Sequence, residues 1–146
     1  MDDIQVGFRL SGIVYKSGYK YQLVEPYSVA VGIFPMHAII TDFVTLQADG
    51  TLTVEKGYAW DGPSGPTFDT PSFMRGSLVH DALYQLMREN LISAYEYRLH
   101  ADELLRRMCR EDGMGMLRSW YVYSAVRLGG KSAVTPVEGH GVLRAP

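Results

Sequence analysis

One cysteine, Cys109, stands in a chain of 146 residues. It has no partner for an internal disulfide, which is consistent with a reducing compartment such as a cytoplasm. An excess of charge of one sign is also lacking: 14 Lys and Arg against 16 Asp and Glu leave a formal net charge of −2. That balance gives no bulk attraction to nucleic acid or to an anionic membrane, so no nucleic-acid partner is expected. No uncharged apolar run reaches the ~18 residues of a membrane span, and none is expected. The opening Met1-Asp2-Asp3-Ile4-Gln5 lacks the basic and apolar regions of a secretion signal, so none is expected there. There is no phosphate-binding loop, no Cys-based metal motif, no internal repeat and no low-complexity tract.

What is present is core material. The chain is 47% hydrophobic, with ten Tyr and two Trp, enough for one domain of ordinary size. The first sixty residues read as β. Gly7 to Tyr15, Lys20 to Glu25 and Val29 to Phe34 are rich in β-branched and aromatic residues. Ile39 to Gln47 and Thr51 to Tyr58 flank Ala48-Asp49-Gly50, a strong hairpin signal.

The texture changes after Tyr58. Asp61 to Thr70 is a Gly- and Pro-bearing loop, and Thr70-Pro71 opens a helix that runs to about Asn90. Ser93-Ala94-Tyr95-Glu96 is a capping box that starts a second helix, and Gly113 suits its C-terminal left-handed position. A third helix spans about Leu117 to Leu128 and stops at Gly129-Gly130. The expected fold is one α+β domain over residues 1–130, with an antiparallel sheet of four or five strands followed by three packed helices. Residues 131–146 read as a loose tail.

The chemistry-bearing residues gather late. Asp61 and Ser64 sit in Trp60-Asp61-Gly62-Pro63-Ser64-Gly65-Pro66, and His80-Asp81 follows on the first helix. Asp102 on the second helix lies one turn after Arg98, which suits an ion pair. Asp61, His80, Asp81 and Asp102 together would suit a divalent cation, and the set does not choose between zinc, manganese and magnesium. The competing reading is structural: Asp61 caps its own loop, and Asp81 and Asp102 pair with Arg98 or Arg75. Ser64, His80 and an Asp are also the residue types of a nucleophilic triad, although there is no G-x-S-x-G elbow. His37, His80-Asp81 and Asp102 follow the order of the helical HD phosphohydrolases, but His37 falls in the β half.

These segments resemble a family found in tailed phages and prophages, catalogued as domain of unknown function 1353. Gly57, Tyr58, Asp61, Gly62, Ser64 and Pro66 match its first segment, and Arg75, His80, Asp81 and Tyr84 its second. Arg98, Ala101 and Asp102 match the third, and Ala125 to Gly129, with Arg127, the last. Trp60, Pro63 and Gly76 stand where that pattern has Thr, Ala and Ala. The match covers residues 55–130 approximately. The resemblance implies a phage origin and this α+β layout, and it implies no activity. It adds Tyr84 and Arg127 to a polar centre with Ser64, Arg75 and Arg98.

Two functions stay open. One is a metal-assisted hydrolase of infection or lysis, with His80, Asp81 and Asp102 as ligands and Asp61 and His80 as catalytic groups. The other is a non-enzymatic phage component, either a minor virion protein or a binder of a host protein, whose His/Asp/Arg cluster is structural. The expected location is the cytoplasm of an infected bacterium or the virion.

Overall fold

The computed structural model describes residues 4–6, 13–16, 21–60 and 70–135; for residues 4–6 and 14–16 it describes the backbone alone. The strands come first: β1 (Ile4–Val6), β2 (Val14–Lys16), β3 (Tyr21–Leu23), β4 (Tyr27–Ala30), β5 (Ile39–Ile40), β6 (Val44–Leu46), β7 (Thr51–Val54) and β8 (Ala59–Trp60). Three helices follow, α1 (Pro71–Arg88), α2 (Ala94–Glu111) and α3 (Met116–Gly129), and then a 3₁₀ turn, Ser132–Val134. The chain therefore has the expected α+β order. Among the described residues the strands divide between two antiparallel sheets of four, ordered β1-β2-β3-β8 and β4-β7-β6-β5, where one sheet was expected.

The second sheet is built around the Asp-Gly hairpin. Gln47 N–H donates to Thr51 O at 2.9 Å, and Asp49 Oδ1 takes the Thr51 N–H at 2.9 Å. That turn sets the register Val44↔Val54, Thr45↔Thr53 and Leu46↔Leu52. Side chains alternate across a strand. Val44, Leu46, Leu52 and Val54 thus share the inner face, and all four are fully buried. In the first sheet β8 joins β3 across 35 intervening residues, in the register Tyr21↔Trp60. This pairing brings Trp60 into the core beside Tyr21 and Tyr58.

Local signals bound the helices. Pro71 occupies the first position of α1, where its missing N–H costs nothing. Ser93 Oγ accepts the Glu96 N–H at 3.2 Å at the start of α2. Both helices end in the same paired-bond device. Asn90 takes φ 57° after α1, with Asn90 N–H to Met87 O and Leu91 N–H to Leu86 O. Gly113 takes φ 97° after α2, with Gly113 N–H to Arg110 O and Met114 N–H to Cys109 O.

The helix α1 is the centre of the molecule. It buries Leu78, Ala82, Leu83 and Leu86 completely, and they share the main core cluster with the inner faces of the sheets. It meets α2 closely at Gly76, where a Cβ would come within 3.1 Å of Leu105 Cδ1 and 3.2 Å of Cys109 Sγ. Burial, with Asp112 nearby, pushes the Cys109 thiol up to about 12, which leaves it a packing group with little thiolate. The segment after α3 also docks. Val134 is buried, and Arg88 Nη1 donates to Ala133 O at 3.2 Å. The chain stays packed through this turn, and residues 136–146, the greater part of the expected tail, lie outside the described residues. The helices α1 and α3 each pack mainly on α2, and a cleft separates them.

Candidate functional site: a buried aspartate beneath the cleft

Asp102 is the most constrained polar residue described. It is fully buried on α2 and accepts hydrogen bonds from both other helices. His80 Nε2 lies 2.7 Å from its Oδ1, and the Tyr84 hydroxyl donates to the same oxygen at 2.5 Å. Arg127 Nη1 donates to Oδ2 at 2.9 Å. Burial alone would raise the pKa of this carboxyl; the bonds from His80, Tyr84 and Arg127 outweigh it and hold the value below the ordinary range. Asp102 is therefore an anion inside the protein, and as an anion it can only accept. The proton of the short bond must then sit on His80 Nε2. Burial and Asp102 push the Tyr84 phenol upward, so it stays a donor.

The helical repeat assembles this centre. His80 and Tyr84 are four residues apart on α1, so their rings meet on one face, tilted by 38° with centroids 4.0 Å apart. Arg98 serves α3 from α2. Its Nη2 donates to Val126 O at 2.9 Å and to Arg127 O at 2.7 Å, two carbonyls at the C-terminal end of α3. Its buried Nε has no hydrogen-bond partner among the described residues.

Above the centre lies a cleft of about 380 Å³ between α1 and α3. Ser77, His80, Asp81, Tyr84 and Arg88 form the α1 wall, with Trp60 and Phe73 at one end and Gly130 and Ala133 among the other lining residues. Asp81 Oδ2 accepts the Tyr58 hydroxyl at 2.7 Å. Burial, then the Asp81 charge, drives the Tyr58 phenol far upward. Trp60 Nε1–H donates to Ser77 Oγ at 3.1 Å. Gly130 makes room both for the end of α3 and for the centre, since a Cβ there would run into the Val126 carbonyl oxygen and come within 2.5 Å of the Tyr84 hydroxyl oxygen. Gly130→Ala is expected to displace the end of α3 and the Tyr84 hydroxyl together and to cost about 1–3 kcal/mol in urea unfolding; a neutral substitution would show that both yield freely.

The expected site residues divide as follows. His80, Tyr84, Arg127 and Asp102 meet. Asp81 does not join them, because Tyr58 holds it. The expected Arg98–Asp102 ion pair is replaced by Arg127–Asp102. Arg75 lies in a second cluster, with Asp112, Glu111 and Tyr27. Asp61 and Ser64 fall outside the described residues. Among the described residues no three His, Cys, Asp or Glu side chains gather in a way that could hold a metal ion. The expected ligands His80, Asp81 and Asp102 do not form such a set. Both oxygens of Asp102 are already engaged, one of them by a guanidinium whose charge opposes a cation. Tyr58 and Gly130 were not expected at the site. The Gly129-Gly130 pair signalled a helix stop in the sequence, and the close approach to Tyr84 is a tertiary fact.

The family described as "Protein of unknown function (DUF1353)" matches residues 37–126, more than half of the chain. The chain belongs to that family. No curated protein and no solved structure matches it. The matched DUF1353 region holds His80, Asp81, Tyr84, Arg98 and Asp102, and it ends one residue before Arg127. It starts earlier than the motif resemblance did, so it takes in the second-sheet hairpin as well.

Proposed function

We propose that the α1–α3 cleft is the active site of a hydrolase in which His80 moves the proton and Asp102 holds it in position. The short bond between a buried, ionised Asp102 and a histidine at the cleft wall is the observation that carries this reading. With the proton on Nε2, Nδ1 keeps its lone pair, and no described residue bonds it. In the proposed step Nδ1 takes a proton from water as the water oxygen attacks an electrophilic carbon of the substrate. The same proton then passes from Nδ1 to the leaving group as its bond to that carbon breaks. The anion of Asp102 stabilises the imidazolium between these two transfers. The proposal needs no role for Asp61 or Ser64. Its setting is the infected bacterium that the phage resemblance implies.

The test is hydrolysis of a panel of chromogenic esters and amides by the native chain and by His80→Gln. The rate is expected to fall by about 10²–10⁴-fold in the variant. Equal rates in the two proteins, or a loss that merely tracks unfolding, would sink the enzyme reading.

A second reading rests on α3. Leu117 and Leu128 on its outer side are 80% and 88% exposed, and Met116, Trp120 and Tyr121 are exposed beside them. A face of this kind marks an interaction surface. In this reading the chain is a non-enzymatic phage component, in the virion or on a host protein, and the Asp102 centre serves to fix three helices. Mass spectrometry of purified particles and a pull-down from host lysate would both have to come back empty to remove it.

A further inference from the structure

We infer that the cleft takes a short peptide with both ends free, its ammonium at Asp81 and its carboxylate at Arg88. This rests on the reading of the α1–α3 cleft as a binding site. It does not depend on the chemistry proposed for His80.

The argument begins with the two charges. Asp81 and Arg88 are seven residues apart, two turns of α1, and both line the cleft. Seven residues at 1.5 Å each separate them by about 10 Å along the helix axis, on one face. Among the described residues each keeps hydrogen-bonding capacity unused. The Tyr58 hydroxyl uses Asp81 Oδ2, and no described residue bonds Oδ1. Arg88 spends Nη1 on Ala133 O and makes no other hydrogen bond among the described residues. Opposite charges this far apart are open to a ligand that carries the reverse pair.

The far wall sets the body of that ligand. On α3 it is formed by Val122, Ala125, Val126 and Gly129 with the Tyr121 ring beside them, and Leu105 of α2 also lines the cleft. None of these carries charge, and the small Ala125 and Gly129 leave width for a side chain. The ligand is therefore polar at two ends about 10 Å apart and apolar along one flank. An extended peptide rises about 3.3 Å per residue, so three residues span the gap. The volume of about 380 Å³ falls within the ~300–1,000 Å³ usual for small-molecule sites.

The experiment titrates the whole chain with alanyl-leucyl-alanine, its N-acetyl form and its C-terminal amide, followed by isothermal calorimetry. The free tripeptide is expected to bind, and each cap to weaken binding about tenfold, the loss of one charge-assisted contact. Asp81→Asn should erase the penalty of acetylation and keep that of amidation. Arg88→Gln should do the reverse. The asparagine keeps an oxygen for the Tyr58 hydroxyl, so this variant should fold. Equal affinity for the three probes, or no binding by millimolar concentration, overturns the inference even if neither variant can be made. Binding that survives in His80→Gln, in a protein whose hydrolysis is unaffected by that change, would retain the inference and remove the enzyme reading.

Discussion

Replacing Asp102 with alanine is expected to lower the unfolding free energy by about 3–5 kcal/mol, the usual cost of removing one partner from a buried ionic network. The variant would leave the Arg127 guanidinium, the Tyr84 hydroxyl and His80 Nε2 without their shared acceptor. Asp102→Asn should cost less, since its amide oxygen can still accept, but the Arg127 charge would remain uncompensated. The pH dependence has a definite sign. The folded pKa of Asp102 lies below its ordinary value of 3.8. Its stabilisation is therefore fully present above that value and drains away as the pH falls below it, through the folded pKa. Urea unfolding at neutral pH and along the acid limb checks both points. In Asp102→Asn the acid limb should be flatter than in the native chain. A loss under about 1 kcal/mol in the alanine variant would mean that the centre rearranges without it.

The second large effect lies away from the cleft. Arg75→Ala should cost about 2–3 kcal/mol, within the range for hydrogen bonds to charged groups. From α1 the Arg75 side chain reaches the C-terminal end of α2 and the second sheet together. It donates to Asp112 through Nε and Nη2 at 3.0 Å each, to Glu111 at 2.9 Å and to the Tyr27 hydroxyl at 3.1 Å. Burial works against this guanidinium, and its bonds to Asp112, Tyr27 and Glu111 more than compensate, so its pKa rises further. Arg75→Lys should recover little, because an ammonium cannot reproduce the forked contact. Glu111 is 50% exposed, so its share is small. The comparison of Asp112→Ala with Glu111→Ala, by urea unfolding at neutral pH, tests this ranking. A larger loss for Glu111 would reverse it.

Much of the fold was legible because local chemistry marks its punctuation. Pro71, Ser93 and Gly113 each solve a problem of helix ends that depends on near neighbours alone, so the sequence displays them. The Asp49-Gly50 hairpin is legible for the same reason. The division into two sheets was not, because β3 finds β8 far along the chain and alternation says nothing of partners. The site shows the same boundary. His80 and Asp102 were visible as candidates by residue type. The spacing of Arg98 and Asp102 within one helix pointed to an ion pair, but the cation came from α3 instead. Spacing sees the residues one turn away; it does not see which helix will cross. The burial of Val134 was not legible either, since one buried side chain after Gly129-Gly130 leaves no periodic trace.

The dependence of Asp102 on Arg127 also bears on the order in which the chain is made. When α2 leaves the ribosome, its carboxylate has His80 and Tyr84 to meet but no fixed cation, and the carbonyls that Arg98 will bind have not been synthesised. Without residue 127 the buried carboxylate would lack the guanidinium that compensates its charge in the folded chain. The helix α3 thus acts as a latch on the other two: Arg127 closes the Asp102 centre, and the carbonyls of Val126 and Arg127 hold Arg98.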